Sequence, residues 1–347
     1  MKILASILAS NYLSYQWVPD NDMQFIKGIW DPKKTRKFKP SVAVDESNVV
    51  CELKKSVKNS LRICKCPGIL LSSGMDSISI AYCLPKDAVA YFVNYPEDET
   101  CETLEQVQIW SEKIGIRLVP IDVTRKDYDE LVIPLMKKKK APIHPCEVGV
   151  YLACKRASED GIDRLFTGWG CDIEFGGMDR ILSKDYRSTA EFYRQWSYCD
   201  INTILKDPLD LTMDLEVYME DGLFNVVRFL HDNYGGMTNQ SFFEYPRMFG
   251  LGDFICPWGN FSHKGQLDMS RIRSGDSKYV VRHAFRTLTG EEPPEKIPFT
   301  RPDYSVKPNS CPEYILGSAI ESWDNKTKQY RWMVYQLCIM SAMVDDK

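Results

Sequence analysis

Histidine is scarce in this chain: four among 347 residues, His144, His231, His263 and His283, at spacings that do not share a metal. A zinc or iron centre built on imidazole has no basis here, and each of the four reads first as a structural or surface residue. Cysteine is plentiful at twelve, yet no Cys-x-x-Cys pair occurs, and the closest two are Cys64 and Cys66. That removes the usual dithiol and zinc frameworks. Several cysteines sit in apolar runs, such as Ala81-Tyr82-Cys83 and Leu337-Cys338-Ile339, where a thiol behaves as a small hydrophobe. We expect reduced thiols in a cytoplasmic protein.

Long apolar runs are missing too: none approaches the roughly 18 residues that a membrane helix requires. The N-terminal stretch Lys2 to Ala9 is too short for a secretory signal and is expected to be a buried strand or helix. Charge of one sign is also lacking. The 44 Lys and Arg stand against 48 Asp and Glu, a net of -4, so no basic field exists to hold a nucleic acid or an anionic membrane. Any anion must be bound locally. With 20 Gly and 19 Pro and 44% hydrophobic residues, the composition excludes collagen-like and disordered chains.

What is present, between about residue 50 and residue 180, is an alternation of short apolar runs with amphipathic stretches. Gly68-Ile69-Leu70-Leu71 reads as a buried strand and Ser77 to Leu84 as a helix. Val89 to Val93 is a second strand; Thr103 to Ile114 is a helix with Val107, Trp110 and Ile114 on one face. Leu118 to Val123 is a third strand. Glu147 to Ser158 is a helix stopped near Gly161, and Ile162 to Phe166 is a fourth strand. Such alternation predicts an α/β fold, a parallel twisted sheet with helices on both faces, whose ligands bind at the carboxyl ends of the strands. From Met178 onward the pattern turns mainly helical and rich in Tyr, Trp and Phe, most of them expected in the core. Lys137 to Lys140 reads as a solvated helix end or a contact to an acidic partner.

Two loops carry the chemistry. The first strand runs into its helix through Leu71-Ser72-Ser73-Gly74-Met75-Asp76-Ser77, small residues whose backbone N–H groups and hydroxyls form a concavity suited to phosphate. An ordinary capped strand-to-helix turn is the plainer reading of the same residues. The second loop, Thr167 to Gly177, packs four glycines and two carboxylates into eleven residues after the fourth strand. If those strands are neighbours, Asp76 and Asp172 form a magnesium site bridging phosphate oxygens.

These residues resemble the synthetase domain of the asparagine synthetases and their beta-lactam synthetase relatives. Ser72 to Ser77 is similar to the family's SGGLDS pyrophosphate loop (PP-loop), with Ser73 in place of the first glycine. Thr167 to Gly177 is similar to its SGEGADELFGG loop, and Ser277 to Arg282 to its KYLLR helix start. Arg301-Pro302-Asp303-Tyr304 falls at its Lys-x-Gly-Phe, and Tyr12 to Ile29 is similar to the segment closing its glutaminase domain. The resemblance implies a PP-loop ATP pyrophosphatase fold over residues 47–347, preceded by a glutaminase remnant and linker over 1–46. It implies ATP and Mg2+, a substrate carboxylate activated as an acyl-adenylate, and an amine or ammonia that completes the amide. Adenine and ribose then fall to Leu71, Val93, Thr167 and Gly168. Pyrophosphate falls to Ser72, Ser73, Gly74, Asp76 and Ser77, Mg2+ to Asp76 and Asp172, and the place of the catalytic lysine to Arg301.

Three departures matter. Position 2 is Lys, not the nucleophilic Cys of the glutaminases, so we expect neither glutaminase activity nor its ammonia tunnel, and ammonia delivered by a separate protein becomes an option. Trp169 replaces the loop's first glutamate, which argues against simple asparagine synthesis and leaves Trp169 to wall an acceptor pocket or merely to pack. Glu174, one position late, either compensates or charges a helix start. Arg301 keeps its charge throughout and stabilises a transition state without exchanging a proton. His144 lies in the segment that comes near the substrate in the resembled family. A PP-loop sulfurtransferase acting on tRNA, or a nucleotide-binding protein without catalysis, are the alternatives; nucleic acid and membrane are not expected as partners.

Overall fold

A computed structural model describes residues 2–15, 41–139, 141–178, 182, 199–208, 244–295 and 302–345. At its centre lie four parallel strands, β2 (Pro67–Leu70), β3 (Val89–Asn94), β4 (Arg117–Asp122) and β5 (Arg164–Phe166), in the order β4-β3-β2-β5. A second, two-stranded parallel sheet pairs β1 (Val42–Val44) with β6 (Phe261–His263), a feature that the sequence pattern did not signal.

The main sheet is covered on both faces because its strands alternate two apolar sets. Ile69, Ala90 and Phe92 join one core cluster with α2 (Val49–Leu61), α3 (Met75–Ala81), α4 (Leu104–Ile114) and α9 (Tyr279–Thr289). Val89, Tyr91, Val119 and Ile121 join the other, with α5 (Arg125–Lys139), α6 (Glu147–Glu159) and α11 (Lys328–Asp345). Local signals set the helix ends: Thr103 caps α4 through a capping box with Gln106, and Gly115 ends it in a left-handed conformation at φ 74°. At the end of α5, Lys137 and Lys138 are exposed as expected, whereas Lys139 is drawn into a buried ion pair with Glu147, 2.8 Å away.

The C-terminal part is helical, as the sequence pattern indicated: α8 (Met269–Arg273), α9, α10 (Gly317–Glu321) and α11. The N-terminal segment is the helix α1 (Lys2–Tyr15), whose Ala9, Tyr12 and Leu13 pack with Ile204, Leu205, Ile315 and Leu337 in a third cluster. No helix among the described residues is long and apolar enough to cross a membrane. All twelve cysteines are free thiols.

Strand order creates the place for a site. From β2 the chain winds outward one way through β3 and β4, then returns to place β5 on the other side of β2. The carboxyl ends of β2 and β5 flank the point where the winding reverses, where open α/β sheets bind their ligands.

Candidate active site

The two glycine- and serine-bearing loops leave adjacent strands and meet at that point. β2 and β5 pair in register, Gly68 with Leu165 and Ile69 with Phe166. Gly168 then lies so close to the first loop that a Cβ there would sit 3.0 Å from Asp76 Cβ and 3.1 Å from Ser77 N. Any larger residue at 168 would have to push the two backbones apart by a few tenths of an ångström.

The first loop is wired internally. Leu71 is buried and donates its N–H to Tyr91 O at 2.9 Å, which fixes the loop to β3. Ser72 N donates to Ser77 Oγ at 3.1 Å, Gly74 N donates to Ser72 Oγ at 3.2 Å, and Ser73 N donates to the carboxylate of Glu102. The Ser73 amide is therefore not free for phosphate in this state. Glu102 is buried, and burial pushes its carboxyl pKa up, with the hydrogen bonds from Ser73 opposing. The N–H groups in the first turn of α3 have no intrahelical acceptors, and that of Ser77 lies against Gly168 of the second loop.

Asp76 and Asp172 come together as expected, and a residue without an assigned role in the sequence reading lies between them. Lys278 Nζ is 2.7 Å from Asp76 Oδ2 and 2.9 Å from Asp172 Oδ1. The lysine side chain is 4% exposed, against 21% for Asp76 and 40% for Asp172, so the ammonium sits beneath the carboxylates and they face outward. Burial alone would lower the Lys278 pKa; the carboxylates of Asp172 and Asp76 outweigh it and hold the ammonium well above the usual lysine range. Trp258 is fully buried, and its indole N–H donates to the Asp76 carbonyl at 3.0 Å. The Cys171 thiol lies 3.3 Å from Asp76 Oδ1; burial and then the Asp76 charge push its pKa up, which keeps it a neutral donor.

The carboxylate pair fits a magnesium ion. Two hard oxygen ligands converge on one cation, here an ammonium, and Gly177 leaves them room: a Cβ at 177 would lie 2.0 Å from Asp172 Oδ1. Asp76 and Asp172 are the residues that would hold the metal. Among the described residues no cluster of three or more His, Cys, Asp or Glu forms a metal site by itself.

Other expected residues fall as follows. Thr167 N donates to Ile255 O at 2.9 Å at the start of the second loop, and Val93 lies half-buried near the end of β3. Asp172 opens outward from the short helix α7 (Cys171–Glu174), while Glu174 is buried at 3% exposure. Trp169 packs, half-buried, against the cluster that holds α5 and α6. His144 stands just before α6 with Nδ1 2.7 Å from Cys146 Sγ. Arg301 lies outside the described residues, as does His231.

Comparison with known proteins decides the lineage: the Asparagine synthase family profile matches residues 49–239, more than half of the chain. The chain belongs to the asparagine synthase family. A Methanocaldococcus jannaschii protein assigned as a glutamine-hydrolyzing asparagine synthetase is 26% identical over 185 residues, which is 50% of this chain and 32% of that protein. The match thus spans about a third of the relative's length. Among solved structures, a U34-tRNA thiolase from Methanococcus maripaludis, determined with its iron–sulfur cluster, aligns over 59% of this chain and 81% of its own at 18% identity and a TM-score of 0.27. Sequence reasoning passed over Glu102 and noted Lys278 only within the Ser277 to Arg282 motif, without a role; their bonds to Ser73 and Asp76 span 29 and 202 positions of chain.

Proposed function

We propose that this chain is an ATP-dependent, AMP- and pyrophosphate-forming ligase that adenylates a substrate carboxylate and joins it to ammonia or an amine. The family supports the ATP-dependent amide-forming class. The finer reading rests on one observation: the loops after β2 and β5 meet at the sheet's reversal point and bring Asp76, Asp172 and Lys278 within ion-pair distance. A carboxylate oxygen attacks the α-phosphorus, the bond to pyrophosphate breaks, and the nitrogen then attacks the acyl carbon, releasing AMP and a proton. Such a reaction asks mainly for positioning and for neutralisation of the departing pyrophosphate. The first turn of α3 and the Ser72 and Ser77 hydroxyls hold phosphate, Leu71, Val93, Thr167 and Gly168 border the nucleoside, and Arg301 takes the charge that develops in the transition state. Asp76 and Asp172 would hold Mg2+, which when bound would neutralise charge on the phosphates.

Trp169, in place of the family's glutamate, directs the reading away from simple asparagine synthesis toward another acid or amine. The nitrogen arrives as free ammonia, as an amine, or from a separate supplying protein. Pyrophosphate release from ATP and Mg2+, screened over carboxylic acids with and without amines, tests the assignment. Release that requires an acid is the expected result; ATP binding without turnover across the panel overturns it.

A further inference from the structure

Lys278 is an unusual residue for its position. It is the one non-glycine residue at positive φ among those described, at 52°, a left-handed backbone that lysine rarely adopts. It caps α9, and its buried side chain passes so close to Gly177 that a Cβ there would lie 2.7 Å from Lys278 Cδ. The strained backbone and the packed stem deliver the ammonium to the point where Asp76 and Asp172 converge.

We propose that Lys278 is the resident counter-cation of the nucleotide-free protein and that it competes with a divalent metal for the Asp76–Asp172 pair, so that metal enters only with nucleotide. The inference rests on the ligase reading above, because it takes the two aspartates as the metal-holding pair. The contact geometry carries it. The Lys278 ammonium is already in ion-pair contact with both carboxylates, at 2.7 and 2.9 Å, so a divalent ion approaching the pair meets a cation in its place and is repelled by it. Phosphates of a nucleotide bring several further negative charges to the same place and reverse that balance. Lys278 also prevents the two carboxylates from repelling each other before nucleotide arrives. The wiring around Asp76 keeps the pair poised: the Trp258 indole N–H donates to its backbone carbonyl at 3.0 Å, and the Cys171 thiol lies 3.3 Å from Oδ1.

Mn2+ titration followed by the electron paramagnetic resonance signal of the free ion tests the exchange without any turnover. Nucleotide-free wild type is expected to leave Mn2+ free. Lys278→Met and Lys278→Gln, two neutral replacements in case one fails to fold, are expected to bind one Mn2+ at least about tenfold more tightly, since the competing charge is gone. Adding Asp172→Asn to either should abolish that gain. In wild type, a non-hydrolysable ATP analogue should lower the free Mn2+ signal further than the same analogue does without protein. Tight Mn2+ binding by nucleotide-free wild type, equal to that of the lysine variants or to that with the analogue, overturns the exchange and leaves the ligase reading intact. Failure of wild type to bind Mn2+ even with the analogue overturns the metal assignment on which both stand.

Discussion

Gly168 is where the proximity of the two loops is set by a single hydrogen atom. A methyl group there would meet Asp76 Cβ at 3.0 Å and the Ser77 backbone nitrogen at 3.1 Å, and backbone yields less than a side-chain tip. Gly168→Ala is expected to move the loops apart at a cost of about 1–3 kcal/mol of stability. Acid-dependent pyrophosphate release should fall about tenfold or more, because a small misplacement near reacting groups has a large effect on rate. A variant with wild-type turnover would show that the loops do not act together. Arg301 answers a different question at the same scale. Arg301→Ala should leave ATP affinity within about threefold while turnover drops roughly a hundredfold, the size of a lost transition-state contact; equal losses in isotherm and rate would make it a ground-state ligand.

At the scale of elements, α9 carries the argument, since it brings Lys278 to the site and seats the helix on the sheet. Val281, Ala284 and Phe285 are fully buried, and the Phe285 ring meets Trp110 of α4 edge-on, with centroids 5.3 Å apart. Phe285→Ala should cost about 3–5 kcal/mol, read as a shift of the urea midpoint, because a buried aromatic leaves a cavity that its neighbours fill only in part. The strands were legible because each is a short apolar run closed by small or polar residues, and the structure moves their ends by only one or two positions, as at Pro67–Leu70 and Arg117–Asp122. Sequence reasoning marks nothing of α2 and only the lysine-rich end of α5, although Val49, Leu53 and Val57 of α2 lie four apart and are all buried. α5 is harder to read, since Pro134 interrupts it and its last turn is a lysine run. The site was half legible. Small-residue loops announce themselves locally, whereas Lys278 stands out only as part of the Ser277 to Arg282 motif, which gives it no partner, and nothing local marks Glu102. Only the fold shows that each is buried against a loop, at 4% and 7% exposure.

Across the whole molecule, the parts distant in sequence are tied to the carboxyl-end side of the sheet by one carboxylate. Asp98, just after β3, accepts from the backbone N–H of Asp303 at 2.9 Å and from Lys328 Nζ at 2.6 Å, while Arg331 on α11 pairs with the Asp303 side chain. These bonds span 205 and 230 positions of chain and hold both the segment after Arg301 and the start of α11. Burial alone would raise the Asp98 carboxyl, but the bonds from Lys328, Thr100 and the Asp303 backbone outweigh it and lower its pKa to about 2. The unfolded chain titrates near the ordinary aspartate value of about 3.9, so the sign is fixed. The folded state binds the proton less readily than the unfolded one; this stabilisation is therefore fully present above about pH 4 and is lost as pH falls from there through about 2. Asp98→Asn keeps the shape and removes the titration. Its urea midpoint should lie below that of wild type at pH 6, and the gap between the two should close on acidification toward pH 2. A gap that stays constant over that range would place the contribution of Asp98 in its shape and hydrogen bonds rather than in its charge.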